Sequence, residues 1–162
     1  MDDREAIVKR VLVDIDKAVA ERDAPGSKDR DLILVGHSFG GVILFDILTH
    51  FRPQLQCQLL VTVGSQVALF AEMGRYVNQA PLTAAFAANQ PAKRPGNVAR
   101  WLNIFDLTDF VAFGVKDVFS GVEDFAFEAD AYPLLSHAAY FDTPNFHLRL
   151  RERVAQAFAA GA

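Results

Sequence analysis

Leu32-Ile33-Leu34-Val35-Gly36-His37-Ser38-Phe39-Gly40-Gly41-Val42-Ile43-Leu44-Phe45 is the stretch whose reading decides the fold. The bare pattern G-x-S-x-G inside it is weak evidence, because a glycine-containing loop matches it by chance. Its context is specific: a strand-like apolar run leads straight in, and a helix-like apolar run leads straight out, with no residues to spare. That is the layout of a nucleophile elbow, in which a buried strand ends in a turn so tight that the serine takes a strained backbone conformation. Gly36 and Gly40 are expected to lack side chains because a Cβ there would strike the neighbouring strand or helix. The turn lifts the Ser38 hydroxyl above the sheet edge, at the N-terminus of the next helix, where unpaired N–H groups favour negative charge.

Working outward, residues 3 to 22 carry Val8, Val11, Leu12, Ile15 and Val19 at helical spacing, with charges between them. Ala24-Pro25-Gly26-Ser27 ends that helix, Asp31 to Val35 reads as the strand before the elbow, and Gly40 to Phe51 as the helix after it. Gln58 to Val63 and Arg100 to Phe105 read as two further buried strands, and Glu123 to Glu128 as a fourth, shorter one. Asn145 to Phe158 is the last helix. Strands alternating with helices imply an α/β fold: three layers, α/β/α, around a short, mostly parallel sheet of about four strands. Residues 66 to 96 exceed what a crossover needs. They hold Val67, Leu69, Phe70 and Met73 at helical spacing, an alanine-rich piece and the breaker Pro91-Ala92-Lys93-Arg94-Pro95-Gly96, and they read as a flap or insertion beside the site.

A chain of 162 residues suits one domain, spanning 1–162. Hydrophobic residues make up 51 % and charged residues 22 %, the balance of a globular protein, and no apolar run reaches membrane-spanning length. The acidic start Met1-Asp2-Asp3-Arg4-Glu5 lacks the features of a secretion signal, so a cytoplasmic location is expected. The single cysteine, Cys57, forms no internal disulfide and lies in an apolar strand as a small core residue. No cysteine metal site exists, and no cofactor is expected. A net charge of −4 without a basic cluster gives nucleic acid no electrostatic footprint. The fourteen phenylalanines include several in loop-like stretches, where they would line a cleft for an apolar acyl group.

A serine hydroxyl needs a base and a group to orient that base. Of four histidines, His37 lies inside the elbow and is expected to point away from the productive direction of Ser38. His50 and His147 read as surface residues. His137, in the expected loop Leu134-Leu135-Ser136-His137-Ala138-Ala139-Tyr140, follows the last strand and so falls at the same sheet edge as Ser38. The acid must lie after the third strand, and Ile104-Phe105-Asp106-Leu107-Thr108-Asp109-Phe110-Val111-Ala112 offers Asp109 and Asp106.

The elbow, the strand exit Val61-Thr62-Val63-Gly64-Ser65, the stretch from Trp101 to Val111 and Ser136-His137-Ala138-Ala139-Tyr140 occur in the order serine, acid, histidine. In this the chain resembles an α/β-hydrolase of the lipase and esterase type, from the nucleophile elbow onward. Asp109 heads a D-x-V step similar to the acid position of that family, which favours it over Asp106. The resemblance implies a serine hydrolase acting on small apolar carboxylic esters: Ser38 attacks, His137 shuttles the proton, Asp109 holds the imidazole and the Phe39 N–H stabilises the oxyanion. Family members carry strands before the elbow strand, and a loop there donates a second oxyanion N–H. Here 30 residues precede Asp31 and read as one helix. The alternatives are therefore a non-catalytic binding module on the same scaffold, or a fragment that needs the missing strands. The elbow strand is also expected at the edge of the sheet, covered by a second copy of the chain or a partner subunit.

Overall fold

The elbow stretch folds as a strand, a one-residue turn and a helix. A computed structural model describes residues 3–128 and 133–159 of the chain. In it β1 (Ile33–His37) runs two residues past the expected strand end at Val35, so Ser38 alone turns the chain into α2 (Phe39–Asp46). α2 continues as a π-helical turn over Ile47–Phe51, and Arg52, the residue before Pro53, leaves the helical region at φ −141°, ψ 59°.

Five further elements lie within two residues of their expected bounds: α1 (Asp3–Asp23), β2 (Leu59–Val63), β4 (Trp101–Phe105), β6 (Glu123–Ala126) and α6 (Pro144–Ala159). The excursion after β2 holds two short helices, α3 (Val67–Glu72) and α4 (Ala80–Ala87). The breaker that follows them contains a two-residue strand, β3 (Ala92–Lys93), paired in parallel with β5 (Phe119–Ser120). Residues of the expected His137 loop form a helix instead, α5 (Pro133–Ala139). Proline is favoured at a first helical position, and the leucines and alanines behind it are good helix formers.

The sheet has the order β1-β2-β4-β6, and all its pairings are parallel. Its two faces are covered differently. Leu32, Leu34, Leu60 and Trp101 pack with Val8 and Ile15 of α1 and with Val42 and Phe45 of α2. On the other face Leu59, Val61, Val63, Leu102 and Ile104 pack with Phe146 and Ala157 of α6 and with Tyr140. The protein is thus a small three-layer α/β fold.

β1 is an edge strand. Its inward bonds, Gln58 N–H to the Leu32 carbonyl at 3.0 Å and Ser38 N–H to the Val63 carbonyl at 2.9 Å, set the parity. Main-chain groups of even-numbered residues face β2, and those of Ile33, Val35 and His37 face outward. By register Ile33 and Val35 share a face with Leu59 and Val61, yet they remain 41 % and 48 % exposed because α6 packs over the inner strands. No helix among the described residues is long and apolar enough to cross a membrane.

The stretch 66–96 divides between two places. Phe70 of α3 meets the Phe39 ring at 5.4 Å, beside the elbow. The later part packs toward the other end of α2, where Asn78 donates to the Thr49 carbonyl and Pro81, Leu82 and Lys93 line a cavity of about 430 Å³ with Leu48 and Thr49. Ser38 does not line that cavity.

Candidate active site

Ser38 sits at φ 53°, ψ −130°, a region that side-chain-bearing residues avoid. Such backbone costs about 1–3 kcal/mol and persists only where the surroundings over-determine it. They do so here. The Ser38 N–H bonds to Val63, while its carbonyl accepts from the Ser65 hydroxyl at 2.8 Å and from the Gly41 N–H at 3.2 Å. The glycine requirement falls on Gly36 and Gly41 and not, as expected, on Gly40. A Cβ on Gly36 would stand 2.7 Å from Gly41 Cα, and one on Gly41 would collide with the Ser65 side chain, whereas a Cβ on Gly40 meets nothing within 4 Å. Gly40 points away from the sheet; Gly41 is the helical residue pressed onto the β2 exit.

His137 Nε2 lies 2.8 Å from Ser38 Oγ, and His137 Nδ1 lies 2.9 Å from Asp109 Oδ2. A carboxylate oxygen only accepts, so Nδ1 carries the hydrogen and Nε2 is left to accept from the serine. The Asp109 side chain is almost fully buried and the His137 side chain 29 % exposed. Three donors offset the burial of that carboxylate. Besides His137 these are the Tyr140 hydroxyl, 3.0 Å from Oδ2, and the Val111 N–H, 3.1 Å from Oδ1. Burial, reinforced by the Asp109 charge, pushes the Tyr140 hydroxyl well above its ordinary pKa, so it remains a donor.

Asp106 takes a different part. Its Oδ1 accepts from the Thr108 N–H and hydroxyl, each at 2.8 Å, the ordinary work of an aspartate in a turn, while its N–H donates to the Tyr140 hydroxyl at 2.8 Å. Tyr140 therefore bridges the two aspartates. His50 and His147 are exposed, and His147 Nε2 bonds the Phe141 carbonyl at 2.7 Å. His37, by contrast, turns toward the site: its Nε2 lies 2.8 Å from the main-chain oxygen of His137.

Gly64, Tyr140 and Ser65 are the contributors that sequence reasoning did not assign. Gly64 has φ +54°, and a Cβ there would stand 2.8 Å from the Tyr140 ring and 3.1 Å from Asp109 Oδ2, so only glycine fits beneath the acid. A glycine directly after an apolar strand was the available signal. Phe39, as first residue of α2, carries an N–H with no acceptor inside the helix. Exposed apolar side chains flank every member of the group: Phe39 next to Ser38, Leu107 and Phe110 on either side of Asp109, and Leu135 and Phe141 around His137. Cys57 stays in the core, 1 % exposed, its thiol pushed up to about 11 by burial. No cluster of three metal-ligating side chains occurs among the described residues.

No protein-family model, curated protein or solved structure matches the chain.

Proposed function

We propose that the chain is a serine hydrolase of the α/β-hydrolase type, cleaving small carboxylic esters with an apolar acyl group. One observation carries this reading: a serine in left-handed backbone at a strand-to-helix turn, hydrogen-bonded to a histidine that is itself bonded to a buried aspartate. Ser38 Oγ attacks the acyl carbon while its proton passes to His137 Nε2. Asp109 holds the imidazole and stabilises the imidazolium. The carbonyl oxygen becomes an oxyanion beside the Phe39 N–H and the positive end of α2. Collapse expels the alcohol, which takes the proton from Nε2, and a water activated by the same nitrogen then releases the acid from Ser38. The exposed apolar side chains around the group suit an apolar acyl chain better than a charged one.

Among the described residues no strand precedes β1 to carry a second oxyanion donor, and a missing donor costs roughly 3–4 kcal/mol. A binding module that keeps the geometry without turnover is favoured by that gap alone. Incubation with a fluorophosphonate probe decides between the two. The hydrolase is covalently labelled at Ser38 and the Ser38→Ala variant is not; an unlabelled wild type refutes the hydrolase.

The outward main-chain groups of Ile33, Val35 and His37, beside two exposed apolar side chains, also favour a partner at β1. A second copy paired antiparallel is the simplest cover. Light scattering at micromolar concentration is expected to return twice the 17.9 kDa of one chain. Val35→Lys should halve that mass, and a wild-type mass of one chain overturns the dimer.

A further inference from the structure

His37 stands next to the nucleophile, and the mechanism above makes no use of it. Its Nε2 approaches the main-chain oxygen of His137 to 2.8 Å, and its ring stacks on the His137 ring with centroids 4.9 Å apart and planes 29° from parallel. A carbonyl accepts and never donates, so Nε2 carries the hydrogen. His137 is the third residue from the end of α5, and the last four carbonyls of a helix have no N–H partner within it. A histidine is among the side chains that satisfy such carbonyls. The Phe141 and Tyr140 rings also lie against the His37 imidazole, edge-on, with centroids at 5.5 and 6.0 Å.

The consequence is geometric. His37 and Ser38 are consecutive, and both bond to one residue 100 and 99 positions further along the chain. One bond holds the side chain of His137 through Nε2, the other holds its main chain through the carbonyl. The ring bonds to Ser38 and Asp109 by themselves would leave the main chain of the helix free to slide or tilt about a held imidazole. Two bonds to adjacent residues of the elbow fix both ends of the side chain against the same rigid strand end. Misplacement of a catalytic group by about 1 Å costs on the order of 10²-fold in rate.

We propose that His37 is a positioning residue: it caps α5 from the elbow and sets the place of the base opposite the serine. The proposal rests on the hydrolase reading for its kinetic part only. His37→Phe keeps a ring against His137 and loses the donor; His37→Gln keeps a nitrogen donor of similar reach. With a short-chain p-nitrophenyl ester, His37→Phe should lower kcat roughly 10- to 100-fold while KM stays within about twofold, and His37→Gln should recover most of the loss. Fluorophosphonate labelling of Ser38 should slow and recover in parallel. Wild-type rates in His37→Phe, or a His37→Gln as slow as His37→Phe, would overturn the role.

Hydrogen exchange over Pro133–Phe141 reads the same clamp without reference to activity. His37→Phe should exchange faster there than wild type, His37→Gln should not, and equal protection in all three refutes the clamp whether or not Ser38 reacts. A wild type that resists the fluorophosphonate but shows the exchange difference retires the hydrolase and supports the clamp. His37→Leu serves as the donor-free variant if circular dichroism finds His37→Phe unfolded.

Discussion

Two chains of side-chain hydrogen bonds cross this sheet, and they differ in where they end. One runs from Ser38 through His137 and Asp109 to Tyr140 at the carboxyl ends of the strands. The other lies between the strands: Trp101 Nε1 donates to the Thr62 hydroxyl at 2.9 Å, Thr62 to Asn103 Oδ1 at 2.7 Å, and Asn103 Nδ2 to Asp124 Oδ1 at 2.9 Å. Asp124 completes that chain by accepting the N–H groups of Val115 and Lys116. The inner chain is closed on protein at both ends, with Trp101, Thr62 and Asn103 at most 1 % exposed. The outer chain ends on a half-buried hydroxyl, passes through a part-exposed imidazole, and holds its serine in strained backbone. Closure makes a polar network structural, and an open end on a strained residue is what the proposed hydrolase would need. The inner network also pins residues 113–116, behind the segment that carries Asp109.

The sharpest test of that difference is activity. Ser38→Ala, His137→Ala and Asp109→Asn should each lower kcat for an ester by about 10⁴-fold or more without lowering the melting temperature. Asp106→Asn, which keeps an acceptor for Thr108, should leave most of the activity. An Asp106→Asn loss as large as that of Asp109→Asn would show that the acid was misassigned.

The inner network should respond in the opposite sense. Asn103→Leu strands the Thr62 hydroxyl and removes a donor from Asp124, so urea denaturation should show a loss of roughly 2–3 kcal/mol. Loss of activity in the folded variant beyond what unfolding explains would mean that the two networks are coupled through the acid segment. Smaller again is the effect of relieving the elbow. Ser38→Gly removes the strain of a side chain at φ 53° and should gain about 1 kcal/mol in stability while abolishing activity. A neutral or destabilising result would show that Ser38 is held there without strain.

The smallest expected effect concerns a buried acid outside both networks. Asp46 accepts the Val77 N–H at 3.0 Å and lies 3.4 Å from an Arg4 nitrogen, yet burial outweighs both and raises its pKa above the ordinary carboxylate range. The folded state therefore binds this proton more readily than the unfolded state. That contribution to stability is complete below the unfolded value, about pH 4, and is lost as pH rises through the raised one. Urea midpoints of wild type relative to Asp46→Asn should accordingly be higher at about pH 4 than at pH 7. A gap that widens with pH would show the Arg4 pairing to dominate.

Much of this was legible in local chemistry. Apolar runs marked β1, β2 and β4, the alternation of Glu123 to Glu128 marked β6, and the helical spacing in residues 3 to 22 marked α1; β2, buried along its whole length, has to be apolar throughout. The reading of the residues before Asp31 as one helix placed β1 at the edge. Other features had no local signature. Whether Gly40 or Gly41 must be glycine depends on where the Ser65 side chain falls, 24 residues from Gly41. The direction of His37 was misjudged because a residue at a strand end is drawn by whatever lies across the sheet edge, here the end of α5. The loop expected around His137 was a helix that Pro133 and its leucines and alanines had signalled.

What the sequence by itself determined is the α/β class, the elbow and the short list of polar groups at the carboxyl edge, since periodicity and turn chemistry act over a few residues. Only the tertiary structure decided which of them meet. The hydrogen bonds joining Ser38, His137, Asp109 and Tyr140 span 99, 28 and 31 residues, and the only local signal for Asp109 over Asp106 was the valine two residues on. That distinction comes from the Gly64 turn, which leaves room beneath Asp109, and from the Tyr140 hydroxyl, which donates to Asp109 and receives only the Asp106 N–H. Contacts of that range are set by how the layers pack, and packing exists only once the chain has folded.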